Sequence, residues 1–181
     1  MGHISVDRSA GKGAASKDAA VQKLREGKLV GIFPEATISR AFEIKDLKTG
    51  AVRIADEADS PLLPVIIWGS QRVWTKGLPK NLLRPNVPIR VAVGAPIELS
   101  GSAEKDTAVL KEAMEKLLET TREKYAERHG PFEPGLPWMP TSLGGSAPTL
   151  EQAAEIDAAA RAERDRKKAA KAAKAGKKDH E

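Results

Sequence analysis

Cysteine is missing from all 181 residues. Disulfides, thiolate nucleophiles and Cys-based metal sites are therefore excluded. Histidine is scarce: His3, His129 and His180 lie far apart and show no metal-ligand spacing, so no metal is expected. Aromatic residues make up only 4 % of the chain. With no stacking platform and no helix-turn-helix pattern, no nucleic-acid partner is expected. Gly11-Lys12-Gly13 lacks the pattern of a nucleotide-phosphate loop. Long apolar runs are missing too. The longest, Leu62 to Trp68, is interrupted by Pro64 and falls far short of the roughly 20 residues that span a bilayer. Met1 to Arg8 has neither the apolar core nor the cleavage site of a signal peptide, and Val6 stands where a myristoylation motif needs Ser or Thr. A cytoplasmic chain is the expectation.

What is present is 40 % hydrophobic residues, 30 % charged residues and a net charge of +5. That is enough apolar material for a modest core, with a charge favouring anionic partners such as phosphorylated metabolites or acidic lipid surfaces. Two regimes meet near residue 130. Before it, apolar runs alternate with helical patterns: strands at Ile4 to Val6, Leu29 to Phe33, Leu62 to Trp68 and Ile89 to Val93, and helices at Lys17 to Glu26, Thr49 to Ala58 and Ala103 to Arg128. Ser16 can cap the first helix and Gly27 can end it. Leu110, Met114, Leu117, Leu118 and Tyr125 make the apolar stripe of the longest one. Strands separated by helices predict an α/β fold with a mostly parallel central sheet. Residues 1–129 read as the folded domain, 130–148 as a Pro/Gly-rich linker or arm, and 149–181 as a charged, Ala-rich tail with strong helix propensity. Arg166 to Lys178 holds seven cations and no anion, so the tail reads as solvated or partly disordered, with an anionic membrane surface as a possible partner.

The chemistry-bearing stretch is Phe33 to Arg40. A buried strand ending at Pro34 would deliver Glu35, Thr37, Ser39 and Arg40 into a loop at the sheet edge, where α/β sheets gather ligand-binding groups. A guanidinium there suits a phosphate, while the carboxylate and the hydroxyls suit polyol hydroxyls. An ordinary strand-to-loop exit has the same composition. Trp68 and Trp74, around Gly69-Ser70-Gln71-Arg72, could line a site or simply pack on the sheet, and Lys76, Lys80 and Arg84 form a basic loop.

Phe33-Pro34-Glu35-Ala36-Thr37 resembles the Phe-Pro-Glu-Gly-Thr block of the lysophosphatidate and glycerol-phosphate acyltransferase (PlsC-like) family. Gly2-His3-Ile4-Ser5-Val6-Asp7-Arg8 is similar to that family's second block, a strand closing on Asp-Arg. Leu62-Leu63-Pro64-Val65-Ile66-Ile67-Trp68-Gly69 is similar to its fourth, and Lys48-Thr49-Gly50 fits the segment between the third and fourth. The resemblance spans roughly residues 2 to 100. It implies acyl transfer from acyl-CoA or acyl carrier protein, as co-substrate and with no cofactor, to the free hydroxyl of a lysophosphatidate in phospholipid synthesis, at the inner face of the membrane. In the family a histidine of a His-x4-Asp block removes the hydroxyl proton and the hydroxyl attacks the thioester directly, which is general-base chemistry plus positioning. Carried over by position, Arg8 matches the phosphate-binding arginine, and Glu35 and Thr37 match the third block's polar groups.

Three departures accompany the resemblance. Ala36 replaces the block's glycine, an exchange tolerated where φ is negative. Ile38 replaces a second phosphate-binding arginine; Arg40, on the same face of an extended segment, is read as its stand-in. No His-x4-Asp occurs anywhere, so no catalytic residue is assigned. His3 and Asp7 both fall in the second block, and on a strand they stand about 13 Å apart, too far for a hydrogen bond. Met1 aligns just ahead of the second block, so the chain is expected to begin inside the domain. A catalytically inactive remnant or a lipid-phosphate-binding module is the alternative function, and a nucleic-acid binder working through the basic tail is a third.

Overall fold

The computed structural model describes residues 2–4, 13–80, 82–83 and 86–178. The chain divides into two compact units: residues Met1–Ser39 with Ile44–Glu133, and residues Arg40–Glu43 with Pro134–Glu181.

The first unit opens with helix α1, Gly13–Arg25, which packs on α2, Gly50–Glu57. Ala20 and Val21 of α1 and Ala51, Val52 and Ala55 of α2 are buried. The Arg25 guanidinium donates to the carbonyl of Glu57 at 2.7 Å, fastening the C-terminal ends of the two helices to each other. Asp59, at φ +50°, ends α2 in a left-handed residue, a position Asp tolerates through its short polar side chain. Strands β1, Val65–Trp68, and β2, Arg90–Val93, pair with Val65 opposite Val93 and Ile67 opposite Val91. Helix α3, Ala103–His129, packs against both strands and α2. Its buried residues Leu110, Met114, Leu118, Thr121 and Tyr125 recur at helical spacing, and Ile66 and Trp68 are buried in the same unit. The buried Asp106 carboxylate accepts the backbone N–H of Ser100 at 3.0 Å and its hydroxyl at 2.6 Å, which ties down the approach to α3.

The parallel sheet expected from the sequence is corrected. Among the described residues the sheet has two strands, and they are antiparallel. A parallel pair needs a crossover, usually a helix, to bring the chain back to the starting edge. Among the described residues between β1 and β2, the chain forms only a short 3-10 turn at Ser70–Arg72, and returns in the opposite direction. Leu29 to Phe33, expected as a buried strand, has no strand structure. Leu29 is 99 % exposed and Phe33 84 %; among the described residues no neighbouring strand supplies a hydrogen-bond ladder or covers them. Of the expected strand Ile4 to Val6, only Ile4 lies within the described residues, and it is not in a strand. The helices arise where the patterns place them.

One face of the sheet is apolar and open. Val65 and Ile67 of β1 and their partners Val93 and Val91 of β2 are 44–60 % exposed. Leu63 and Ile89 continue the alternation and are exposed as well.

The second unit is built on the arm of residues 134–149 and helix α4, Leu150–Lys178. The arm folds on itself: the N–H of Gly135 reaches the carbonyl of Gly144 at 2.8 Å and that of Ser146 the carbonyl of Leu136 at 3.1 Å. Met139, Pro140, Ala147, Ala153 and Ala41 are buried. Thr149 and Gln152 form a reciprocal capping box, Thr149 Oγ1 accepting the Gln152 N–H and Gln152 Oε1 accepting the Thr149 N–H. The expectation of a solvated or partly disordered tail is corrected for the first turns of α4, which are helical with Ala153 buried and Asp157 mostly covered. Small residues let that stretch approach its neighbours without a bulky apolar stripe. No described helix is long and apolar enough to cross a membrane.

Candidate functional site

Pro34 fixes φ near the value that the second position of a turn requires, and the chain turns at Phe33 to Ala36, with the Ala36 N–H on the Phe33 carbonyl at 3.1 Å. Two further ties close the loop that follows. The Lys48 N–H donates to the Pro34 carbonyl at 2.9 Å, and the Lys45 N–H donates to the Glu35 carboxylate at 3.1 Å. Glu35 is thus held half-buried by backbone on both sides of the loop. Burial pushes its carboxyl above the ordinary value, opposed by the Lys45 N–H and the Lys45 charge. Thr37 is exposed, flanked by the exposed side chains of Ala36 and Ile38. Ala36 does not have the negative φ that would make the exchange from glycine harmless; its φ is +59°, the left-handed region that favours glycine.

Glu35 and Thr37 share this turn of the first unit. Arg40 belongs to the second unit, where its Nε pairs with Asp157 Oδ1 at 3.0 Å, both side chains only 16 % exposed. The hydroxyl of Ser39, which precedes it, is buried without a hydrogen-bond partner among the described residues. Arg8 and Asp7 lie outside the described residues. His3 is exposed, and His129 closes α3 with its ring 4.9 Å from that of Tyr125. Among the described residues no group of His, Asp and Glu could hold a metal ion.

Trp68 is buried, with the Arg122 guanidinium 4.6 Å above its ring. Trp74 is exposed beside Lys80, at 4.8 Å. Arg84 of the basic loop lies outside the described residues.

Sequence reasoning missed the network around Gly69. The Tyr125 hydroxyl donates to the Pro88 carbonyl at 2.9 Å and accepts from Arg72 at 2.8 Å, and Tyr125 is 1 % exposed. Gly69, at φ +99°, lies where a Cβ would stand 2.3 Å from the Pro88 carbonyl oxygen. The signals were the glycine that breaks the strand and the chain's single tyrosine at the end of a helix stripe, read only as a stop and as core.

Residues 1–68 match the model of the Acyltransferase family. The chain is 26 % identical over 127 residues to a 1-acyl-sn-glycerol-3-phosphate acyltransferase of Borreliella burgdorferi, covering 67 % of this chain and 50 % of that protein. It is 38 % identical over 97 residues to the protein of that name in Limnanthes douglasii, covering 52 % of this chain and 34 % of the relative. It is 37 % identical over 81 residues to that of Bacillus subtilis, covering 43 % and 39 %. The chain thus spans half or less of the length of these relatives. No solved structure matches it.

Proposed function

We propose that this chain, a member of the acyltransferase family, carries the acceptor grip of an enzyme that acylates a 1-acyl-sn-glycerol 3-phosphate in phospholipid synthesis. The observation that carries the reading is the family match over residues 1–68, within which the Phe33 to Ala36 turn presents a half-buried Glu35 held by the Lys45 N–H. In the transfer, the acceptor hydroxyl oxygen forms a bond to the thioester carbonyl carbon, the C–S bond breaks, and the thiol leaves with a proton. Acyl-CoA or acyl carrier protein supplies the thioester. Glu35 accepts a hydrogen bond from a glycerol hydroxyl and Thr37 adds a second polar contact. Arg8 binds the phosphate as a charge-assisted, bidentate partner. The site works at the inner face of the membrane, with the cations of α4 on its anionic surface.

The missing His-x4-Asp spacing favours a second reading, binding without transfer. Calorimetry with 1-acyl-sn-glycerol 3-phosphate, alongside thiol release from acyl-CoA, separates the two. Transfer requires binding together with acceptor-dependent thiol release, and Arg8→Ala should weaken the acceptor's apparent affinity more than the donor's. Binding without thiol release leaves only the second reading. No binding by the wild-type chain removes both.

A further inference from the structure

We propose that the loop after β1 is a membrane-docking surface, laying Trp74, Leu82 and Leu83 into an anionic lipid surface while Lys76 and Lys80 meet its phosphates. The loop belongs to the first unit alone. Its base is fixed to the core. Gly69 follows β1, the N–H groups of Val73 and Trp74 donate to the Ser70 carbonyl at 3.0 and 3.1 Å, and Thr75 is buried. Beyond that base the apolar side chains face outward: Trp74 is 58 % exposed, Leu82 68 % and Leu83 97 %. The Lys80 ammonium lies 4.8 Å from the centre of the Trp74 ring, so cation and indole occupy one patch of surface. Leu82 follows Lys80 by two residues, within about 7 Å of extended chain.

The charge around these side chains has one sign. Residues 60–97 hold five cations and neither Asp nor Glu, in a chain where 30 % of residues are charged. Exposed Leu and Trp beside Lys, with no acid between them, match the chemistry of a membrane interface. Apolar bodies bury at the boundary of headgroups and acyl chains, an indole settles at headgroup level, and the ammonium groups stay with the phosphates. A second copy of the chain is the poorer occupant, because two such loops would bring like charges together. Side chains that protrude also fit a partner that they enter, and a bilayer is entered without a preformed groove. The inference goes beyond the acceptor grip and needs no transfer chemistry.

The test is sedimentation of the full chain with vesicles of phosphatidylcholine alone and of phosphatidylcholine mixed with phosphatidylglycerol. The wild-type chain should bind the mixed vesicles, and phosphatidylcholine alone more weakly. Leu82→Ser with Leu83→Ser leaves the net charge untouched. It should weaken binding to mixed vesicles at least about ten-fold, the effect of withholding apolar area from the bilayer. Lys80→Gln should weaken it about five-fold, the contribution of one cation near an anionic surface. Lipids brominated along the acyl chain should quench the wild-type tryptophan fluorescence. Trp74→Phe should remove that quenching, since Trp68 is buried in the core.

A wild-type chain that ignores vesicles, or binds both kinds equally, overturns the proposal. So does a double Leu variant that binds like wild type, because attraction through net charge or the cations of α4 would then suffice. Quenching that survives Trp74→Phe, or a loss confined to Ile67→Thr with Val91→Thr, would put the lipid elsewhere and likewise overturns it. Tighter binding to a single-stranded oligonucleotide than to mixed vesicles, lost in Lys80→Gln, would make the loop a nucleic-acid contact instead. Thermal melts should match wild type, since the substituted Leu side chains are exposed. If the double variant melts lower, Leu83→Ser alone carries the test, and wild-type binding by it counts against the proposal. Failure of the acceptor reading shows separately, as a chain that binds vesicles but not 1-acyl-sn-glycerol 3-phosphate.

Discussion

The carboxylate of Glu35 accepts the backbone N–H of Lys45 at 3.1 Å, closing ten residues of loop on a single half-buried acid. Because burial raises its folded-state pKa above the ordinary 4.5, the folded chain holds this proton more tightly than the unfolded chain. Its effect on stability is therefore to lower it as pH climbs from about 4.5 through the higher folded value. Asp106 acts in the opposite sense. Hydrogen bonds from Ser100 hold it below the ordinary 3.8, so its stabilisation is present above 3.8 and is lost as pH falls through the lower folded value. In denaturant titrations across pH, Glu35→Gln should remove a downward slope above pH 4.5, and Asp106→Asn should remove an acid-side loss. Curves for Glu35→Gln parallel to wild type would show that burial does not govern Glu35.

Ala36, at φ +59°, carries a Cβ where the left-handed conformation disfavours one by about 1–2 kcal/mol. Glycine would relieve that and lose part of the gain to its freer unfolded state. Ala36→Gly is expected to stabilise the chain by roughly 0.5 kcal/mol, and Ala36→Val to destabilise it by more than about 1 kcal/mol, since a β-branched residue fits this region worst. Thermal melts give both signs. A less stable glycine variant would count against the left-handed turn.

Gly69 and Tyr125 form one unit with Pro88. A Cβ on Gly69 would meet the Pro88 carbonyl oxygen at 2.3 Å and the Tyr125 hydroxyl at 3.0 Å, and the residue also has positive φ. Gly69→Ala is expected to cost about 2–4 kcal/mol. Tyr125→Phe, which strands the Pro88 carbonyl, should cost about 1–3 kcal/mol. Near-native stability of Gly69→Ala in urea would show that the β1 exit is looser than the contacts require.

The open sheet face sets the behaviour of the chain on its own. Ile67 and Val91 face each other across the ladder and are both exposed, inside a row of like residues. An apolar patch of this kind binds apolar dyes and drives association. The isolated chain should enhance the fluorescence of an anilinonaphthalene dye and self-associate with rising concentration. The double change Ile67→Thr and Val91→Thr should suppress both while holding the melting temperature, because threonine keeps the β-branched shape. Unchanged dye binding in that variant would move the patch elsewhere.

How much of this was legible in sequence follows from the range of the forces involved. The helices α1, α2, α3 and α4 were readable, because apolar spacing, caps and propensity act within a few residues. So were β1 and β2, which fall within the apolar runs Leu62 to Trp68 and Ile89 to Val93. The acyltransferase resemblance was carried by the same local blocks, Phe33 to Thr37 and Leu62 to Gly69, and the family match covers residues 1–68. Pairing direction was not readable, since alternation along a strand says nothing about which way its neighbour runs, and β1 and β2 are antiparallel. Nor was the exposure of Leu29 to Phe33, because an apolar run is buried only where another element arrives to cover it. The sign of φ at Ala36 depends on the ties from Ala36 to Phe33 and from Lys48 to Pro34. Arg40 is the clearest case: its residue type suggested a phosphate ligand, but its contact lies 117 residues away on Asp157. Sequence by itself determined the local elements and the chemical groups offered. Tertiary structure decided which of those groups meet, because contacts between distant residues depend on how the elements pack and leave no local pattern in the chain.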